Sequence, residues 1–193
     1  MSNNLIDAIN ESIILKKELK LLSSEIDYAI SVIFKAIKNK KKILICGNGG
    51  SAADAQHLSA EFLVRLRKNI NRKSYPVISL ALDTSTLTAC GNDIGFDYIF
   101  SRNFDALSQK GDILICISTS GNSKNIINVL RLAKKKKIFS ISFLGSGGGK
   151  AYNLSNLSLI VPHYKTARIQ EAHIFLGHYI FESVENKLLK LKG

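Results

Sequence analysis

The chain has 193 residues, 46% of them hydrophobic and 22% charged, and a formal net charge of +12. This composition fits one globular domain with a full apolar core and excludes a disordered or low-complexity chain. Three cysteines are too few for a disulfide-rich secreted scaffold, and no apolar run approaches the roughly 20 residues of a membrane span. The first residues lack a signal-peptide pattern. We therefore expect a cytoplasmic protein with buried free thiols at Cys46 and Cys116.

Apolar residues recur at spacings of three and four over residues 3–38. This pattern predicts one long helix, or two shorter helices with a break near Ser23-Ser24. A helix of this length extends beyond a small sheet domain, so its apolar stripe needs a partner, most simply the same helix of another subunit. We interpret residues 1–38 as an oligomerisation arm of a single domain that spans residues 1–193.

After residue 40, short runs rich in Ile, Leu and Val alternate with helical stretches. The predicted strands are Lys42–Cys46, Val77–Leu82, Asp112–Ile117, Ile138–Phe143 and Leu157–Val161. The predicted helices cover residues 51–67, 97–109, 123–136, 148–154 and 166–190. Alternation of apolar strands and helices predicts an α/β fold, a doubly wound parallel five-stranded sheet of flavodoxin-like or Rossmann-like type. Ligands of such sheets bind at the carboxyl ends of the strands.

The segment after the first predicted strand is rich in glycine, running from Gly47 to Ala52. Glycine lets the backbone turn sharply and approach a ligand closely, and Ser51 can cap the next helix. The segment also fits a relaxed dinucleotide-binding pattern, with Asp83 as the candidate ribose ligand. A plain tight turn is the third interpretation. A Walker A motif is absent, since Gly145–Lys150 lacks the required ending.

The segment after the third predicted strand, Ser118–Ser123, carries four hydroxyls in six residues and leads into a helix. Free backbone N–H groups and the dipole at a helix N-terminus favour an anion, and the hydroxyls donate hydrogen bonds without adding charge. We favour a monophosphate site over a capping turn. The segment contains no lysine, which argues against a triphosphate.

Two predicted helices carry side chains that suit a site: Asp54, His57 and Glu61 on the first, and Gln170, His173 and His178 on the last. Spacings of three and four place the first set on one helical face, and Gln170 and His178 can share a broad face. Each helix alone is weak evidence. Together they could supply acid/base chemistry to one pocket, with or without zinc.

Two further features are less specific. Cys90–Phe96 is predicted to be a loop, either a plain turn or a set of hydroxyl-binding groups. Two lysine clusters, Lys38 with Lys40–Lys42 and Lys134–Lys137, lie at the amino ends of strands, opposite the expected site. They are not interleaved with aromatic residues and match no nucleic-acid motif, so we expect a solvated face and no nucleic-acid partner.

A combination of motifs resembles the bacterial phosphoheptose isomerase family, which has the sugar isomerase (SIS) fold. The motifs are Gly47–Ser51, His57–Glu61, Gly91–Asp93, Ser118–Ser123, and Arg168–Glu171 with His178. The serine loop alone is generic to SIS domains, whereas its combination with the four side chains His57, Glu61, Gln170 and His178 is much more specific. The resemblance covers nearly the whole chain. One departure is Ala167, where many relatives carry Asp, and it could alter rate or anomer preference.

The resemblance implies an aldose–ketose isomerase that converts sedoheptulose 7-phosphate to D-glycero-D-manno-heptose 7-phosphate for lipopolysaccharide or capsule synthesis. It implies Glu61 and His178 as the catalytic pair, and one zinc per subunit, with no nucleotide cofactor, on His57, Glu61, Gln170 and His178. The implied substrate contacts, besides Glu61 and Gln170, are Asn48, Gly49, Gly50, Asn92, Asp93, Ser118, Thr119, Ser120 and Ser123. It also implies a homotetramer with active sites between subunits.

Two other functions compete with this hypothesis. One is a non-catalytic SIS protein that binds the replication initiator, which would keep a similar phosphate loop. The other is a dinucleotide-dependent oxidoreductase using Gly47–Ala52, which leaves the serine loop and the His/Glu faces without a use.

Overall fold

The computed structural model describes residues 4–190 and begins with two helices. Helix α1 (Leu5–Glu18) leads through a 3₁₀ turn (Leu19–Leu22) into α2 (Ser23–Lys38). The break therefore falls at Ser23, as the sequence allowed, while residue 3 lies outside the described residues. Within residues 4–190, no helix combines the length and apolar character needed to cross a bilayer.

Five strands form one sheet: Ile43–Gly47 (β1), Val77–Ser79 (β2), Ile113–Ser118 (β3), Phe139–Leu144 (β4) and Leu157–Ile160 (β5). Every neighbouring pair is parallel, and the strand order is β2-β1-β3-β4-β5. This order is that of flavodoxin-like doubly wound sheets, which confirms the predicted fold class. The order reverses between β1 and β3, so the ligand crevice is expected at their carboxyl ends.

Helices cover both faces of the sheet: Gly50–Leu63 (α3), Thr84–Asp93 (α4), Ile99–Leu107 (α5), Lys124–Lys135 (α6), Gly149–Tyr152 (α7) and Thr166–Leu189 (α8). Helices α1, α2, α3 and α8 pack on one face, and α4 to α7 pack on the other. Strands β1 and β3 are buried along their whole length, which explains their continuous apolar sequences.

Cys46 and Cys116 are register neighbours on β1 and β3, with their sulfurs 3.6 Å apart. Both are fully buried free thiols, as predicted. Burial raises the pKa of the Cys116 thiol well above its usual range, so that thiol stays protonated and behaves as a small apolar side chain.

Three predicted segments differ from the structure by three residues or more. Strand β2 ends at Ser79 rather than Leu82, and α3 ends at Leu63 rather than residue 67. The predicted loop Cys90–Phe96 begins inside a helix, α4, which the sequence pattern did not reveal. Asp83 caps this helix, because its carboxylate accepts a hydrogen bond from the Thr86 N–H at 3.2 Å.

Candidate active site

The loops that follow β1 and β3 meet at the reversal point of the sheet. Asn48 follows β1, and its side-chain amide exchanges two 2.9 Å hydrogen bonds with that of Asn125 on α6. Gly49 adopts φ +55°, a left-handed conformation that favours glycine, and with it the chain turns directly into α3. The predicted glycine loop is therefore anchored to the helix that follows the serine loop.

The serine loop forms a turn at the N-terminus of α6. The Ser118 hydroxyl accepts a hydrogen bond from the Gly121 N–H at 3.1 Å, and the Ser120 hydroxyl accepts one from Asn122 N–H at 3.2 Å. Ser123 is the N-cap residue, and its side chain caps no N–H of the helix. The first turn of α6 and the Ser123 hydroxyl can therefore serve an anion.

A glycine run that the sequence left without a role supports this turn. The Gly121 carbonyl accepts a hydrogen bond from the Ala151 N–H at 2.9 Å, and the Asn122 side chain accepts one from Lys150 N–H at 3.1 Å. A Cβ atom on Gly121 would lie 2.0 Å from the Gly148 carbonyl oxygen. The two backbones thus approach so closely that only glycine fits, and the serine loop rests on a rigid support.

Helices α3 and α8 bring His57, Glu61 and His178 together. The His178 Nε2 lies 3.0 Å from the Glu61 Oε1 and 3.1 Å from the His57 Nε2, and the His57 Nε2 lies 3.1 Å from the same Glu61 oxygen. One ligand atom from each residue thus falls within 4.8 Å of the other two, the arrangement of a candidate metal site. The predicted sharing of one pocket by the two helices is found for these three side chains.

The carboxyl groups beside this cluster are partly withdrawn from water. Glu61 is part-buried, and its second oxygen, Oε2, is buried without a hydrogen-bond partner. Asp54 lies one helical turn before His57; burial raises the pKa of its carboxyl, and the neighbouring imidazoles His57 and His178 offset part of that rise. Burial therefore disfavours the charged form of the Asp54 carboxyl group.

Other predicted residues take different positions. Gln170 contacts the first turn of α3, because a Cβ on Gly50 would lie 2.6 Å from its Nε2 atom. Asn92 and Asp93 end α4, exposed and hydrogen-bonded to each other at 2.8 Å. Within residues 4–190 of one chain, no hydrogen bond joins that pair to the histidine cluster.

His173 does not join the site. Its side chain is fully buried in the core, with its ring 6.2 Å from that of Phe143. Burial lowers its pKa to about 4, so the imidazole is neutral at neutral pH. Asp83 is likewise engaged elsewhere, as the α4 cap, which argues against the dinucleotide hypothesis.

Comparison with known proteins identifies the relatives of this fold and site. The SIS domain family model matches residues 8–145. The chain is 49% identical over 169 residues to the phosphoheptose isomerase of Campylobacter concisus, covering 88% of both chains. The chain belongs to the phosphoheptose isomerase family.

Two further family members show that the likeness extends over almost the full length. The chain is 45% identical to the phosphoheptose isomerase of Clostridium acetobutylicum, covering 96% of this chain and 95% of that one. The solved phosphoheptose isomerase of Neisseria gonorrhoeae superposes with a TM-score of 0.88 at 40% identity, covering 94% and 97%. Family membership favours an isomerase over the non-catalytic initiator-binding protein.

Ion-paired residues at the far end of α3 were missed by sequence reasoning. Arg72 and Glu185 form a buried ion pair, and Arg67, which is partly exposed, binds the same carboxylate. Glu185 lies more than 100 residues from both arginines in the chain and the three follow no motif, so nothing in the sequence marks them as a group.

Proposed function

We propose that the protein interconverts sedoheptulose 7-phosphate and D-glycero-D-manno-heptose 7-phosphate through an enediol, supplying heptose for lipopolysaccharide or capsule. The observation that carries this proposal is the Glu61 carboxylate, which lies 3.0 to 3.1 Å from two imidazoles in a site between α3 and α8. A part-buried carboxylate beside imidazoles suits proton abstraction next to a carbonyl.

The phosphate of the open-chain sugar is bound by the serine loop. The loop carries four hydroxyls just before the N-terminus of α6, those of Ser118, Thr119, Ser120 and Ser123. Fixing the phosphate places the other end of the sugar near the glycine loop, where Asn48, Gly49 and Gly50 contact its hydroxyls. Positioning of this kind makes the later proton transfers effectively unimolecular.

Glu61 removes a proton from C1 of the ketose, beside the C2 carbonyl, and the electron pair forms the C1–C2 double bond of the enediol. A proton is then delivered to C2, which gives the aldose. We assign to His178 the movement of the proton between the two oxygens, because its imidazole lies 3.0 Å from the Glu61 carboxylate. No electrons are gained or lost overall, so the reaction needs no redox cofactor.

The same residues fit one zinc ion per subunit, held by His57, Glu61, Gln170 and His178. The fit is supported by one ligand atom each from His57, Glu61 and His178, which lie within 4.8 Å of one another, while Gln170 packs on Gly50 at the start of α3. Zinc held by these residues would supply Lewis-acid polarisation of the substrate carbonyl.

The protein forms a homotetramer with sites between subunits. Support comes from α1, whose outer face exposes Leu5, Ile6, Ile9, Ile13 and Ile14 to solvent in the isolated chain. A contiguous exposed apolar face of five large side chains usually marks an interface. Asn92 and Asp93 complete the sugar site across a subunit interface, which accounts for the absence of a hydrogen bond between them and the cluster within residues 4–190 of one chain.

The test is NMR of sedoheptulose 7-phosphate incubated with the purified protein and zinc. We expect anomeric signals of the aldose with the wild type and none with Glu61→Gln, because the amide cannot accept the C1 proton. Glu182→Gln is the matched control, since Glu182 is an exposed glutamate on α8, and it should retain wild-type turnover. A folded wild type without product would overturn the proposal, and an active Glu61→Gln would remove Glu61 as the base.

A further inference from the structure

A buried ion pair lies at the end of α3, beyond the proposed catalytic residues. The Arg72 Nε donates to the Glu185 Oε1 at 2.6 Å, and the Arg67 Nε donates to the other oxygen at 2.8 Å. The side chains of Arg72 and Glu185 are almost completely shielded from water, while that of Arg67 reaches the surface. Glu185 thus holds one buried and one partly exposed guanidinium.

Arg72 also binds the backbone of α3 at the residue proposed as the base. Its two terminal nitrogens donate to the carbonyls of Glu61 at 2.7 Å and Phe62 at 2.9 Å. The last carbonyls of a helix have no partner inside the helix, and a cation there also interacts favourably with the helix dipole. Arg72 therefore ends α3 and links its last turn to Glu185 on α8.

Helices α3 and α8 run side by side in the same direction, with the ion pair at one end of their contact. Gln170 packs on Gly50 at the start, Leu58 packs on Gly177 in the middle, and the Phe62 ring lies 4.3 Å from that of Phe181. Glu185 follows two turns after His178, which places both side chains on the same face of α8. The proposed catalytic groups lie between the glycine contact and the ion pair.

A gain in folding stability is a weak explanation for the buried ion pair of Arg72 and Glu185. Removing two charges from water costs free energy that their attraction only partly returns, and apolar residues of similar volume are often as stabilising. An ion pair with several directed hydrogen bonds does, however, fix one relative position of two helices, which apolar packing does more loosely. The directed bonds here end on the backbone of Glu61.

We propose that Arg72, held by Glu185, is a positioning residue of the active site. It sets the place of the last turn of α3 against α8, and so keeps the Glu61 carboxylate at 3.0 Å from the His178 imidazole. This proposal rests on the proposed function only where the test measures kcat of the isomerisation. Zinc affinity provides a second readout that does not depend on turnover.

The test compares Arg72→Lys with Arg67→Lys in the full chain. Both exchanges keep the charge and remove a guanidinium from Glu185, but of the two side chains only that of Arg72 hydrogen-bonds to α3 within residues 4–190. We expect Arg72→Lys to lower the zinc affinity and kcat roughly tenfold, as loss of outer-shell support does in metal sites. The KM should stay near the wild-type value because the serine loop is supported by α6 and α7. Arg67→Lys should leave all three quantities near wild type.

Zinc affinity is measured by competition with a chromophoric chelator, and folding is checked by circular dichroism and thermal unfolding. Glu185→Gln is the second variant, since it keeps the shape but weakens the hold on Arg72, and it should show the same losses. The proposal is overturned if folded Arg72→Lys and Glu185→Gln bind zinc as Arg67→Lys does. If the wild type binds zinc but does not isomerise the sugar, the proposed isomerase function fails. The comparison of zinc affinities among the variants still decides whether Arg72 is a positioning residue.

Discussion

The buried imidazole of His173 shows how one side chain makes stability depend on pH. Its pKa is lowered by burial from the ordinary 6.5 to about 4. As the pH falls below about 6.5, the unfolded chain binds a proton at this position and the folded chain does not. Protonation of His173 in the unfolded chain therefore leaves the unfolding free energy unchanged well above pH 6.5 and lowers it progressively as the pH falls from 6.5 towards 4.

This loss predicts a measurable difference at mildly acidic pH. Between pH 7 and pH 5 the wild type should lose about 2 kcal/mol more unfolding free energy than His173→Gln, which has a similar volume and does not titrate there. Urea unfolding at both pH values checks it, with comparison between the two proteins cancelling the other titrating groups. Equal losses would show that His173 does not cause the acid sensitivity.

At the scale of elements, the serine loop depends on its contact with the glycine run before α7. Gly121→Ala combines a left-handed φ of +63° with a Cβ placed 2.0 Å from the Gly148 carbonyl oxygen. We expect a loss of about 2 kcal/mol beyond the backbone strain itself, together with a roughly tenfold higher KM for the sugar phosphate. Urea unfolding and steady-state kinetics measure the two effects.

Gly147→Ala is the matched control for this exchange. Gly147 has a similar φ of +77°, but a Cβ there would meet no atom within 4 Å. It should therefore cost only the left-handed strain, about 1 to 2 kcal/mol, and leave the KM unchanged. Equal effects from the two variants would contradict a role for the close backbone contact.

The sequence predicted the elements whose burial pattern is strong and missed those defined by contacts. Strands β1 and β3 are buried on both faces, so their apolar runs identified them. Helix α4 has only Cys90 fully buried and is rich in threonine, so its periodicity was weak. The Asp83 cap was its one local signal, and it had been interpreted as a ribose ligand. The end of α3 depends on Arg72 and Glu185, whose pairing no local pattern reveals.

At the scale of the molecule, the two N-terminal helices differ in what they leave exposed. The helix pair α1 and α2 begins the chain, yet α2 packs into the core while α1 keeps an apolar outer face. The spacing in the sequence predicted this stripe but not its division, because only three-dimensional packing shows which turns the domain itself covers. The uncovered part belongs to α1, and the proposed subunit contact is expected there.

Ile9→Glu tests that contact, because symmetry repeats the charge at every copy of the interface. Ile9 is 48% exposed in the isolated chain, so the exchange should cost little stability within a subunit. Light scattering should give the wild type a mass near four times the 21.3 kDa chain, and Ile9→Glu a smaller one with reduced activity. Leu107→Glu, 43% exposed on α5 in the opposite layer, should keep the wild-type mass. A monomeric wild type, or an unchanged mass for Ile9→Glu, would show that α1 does not form the interface.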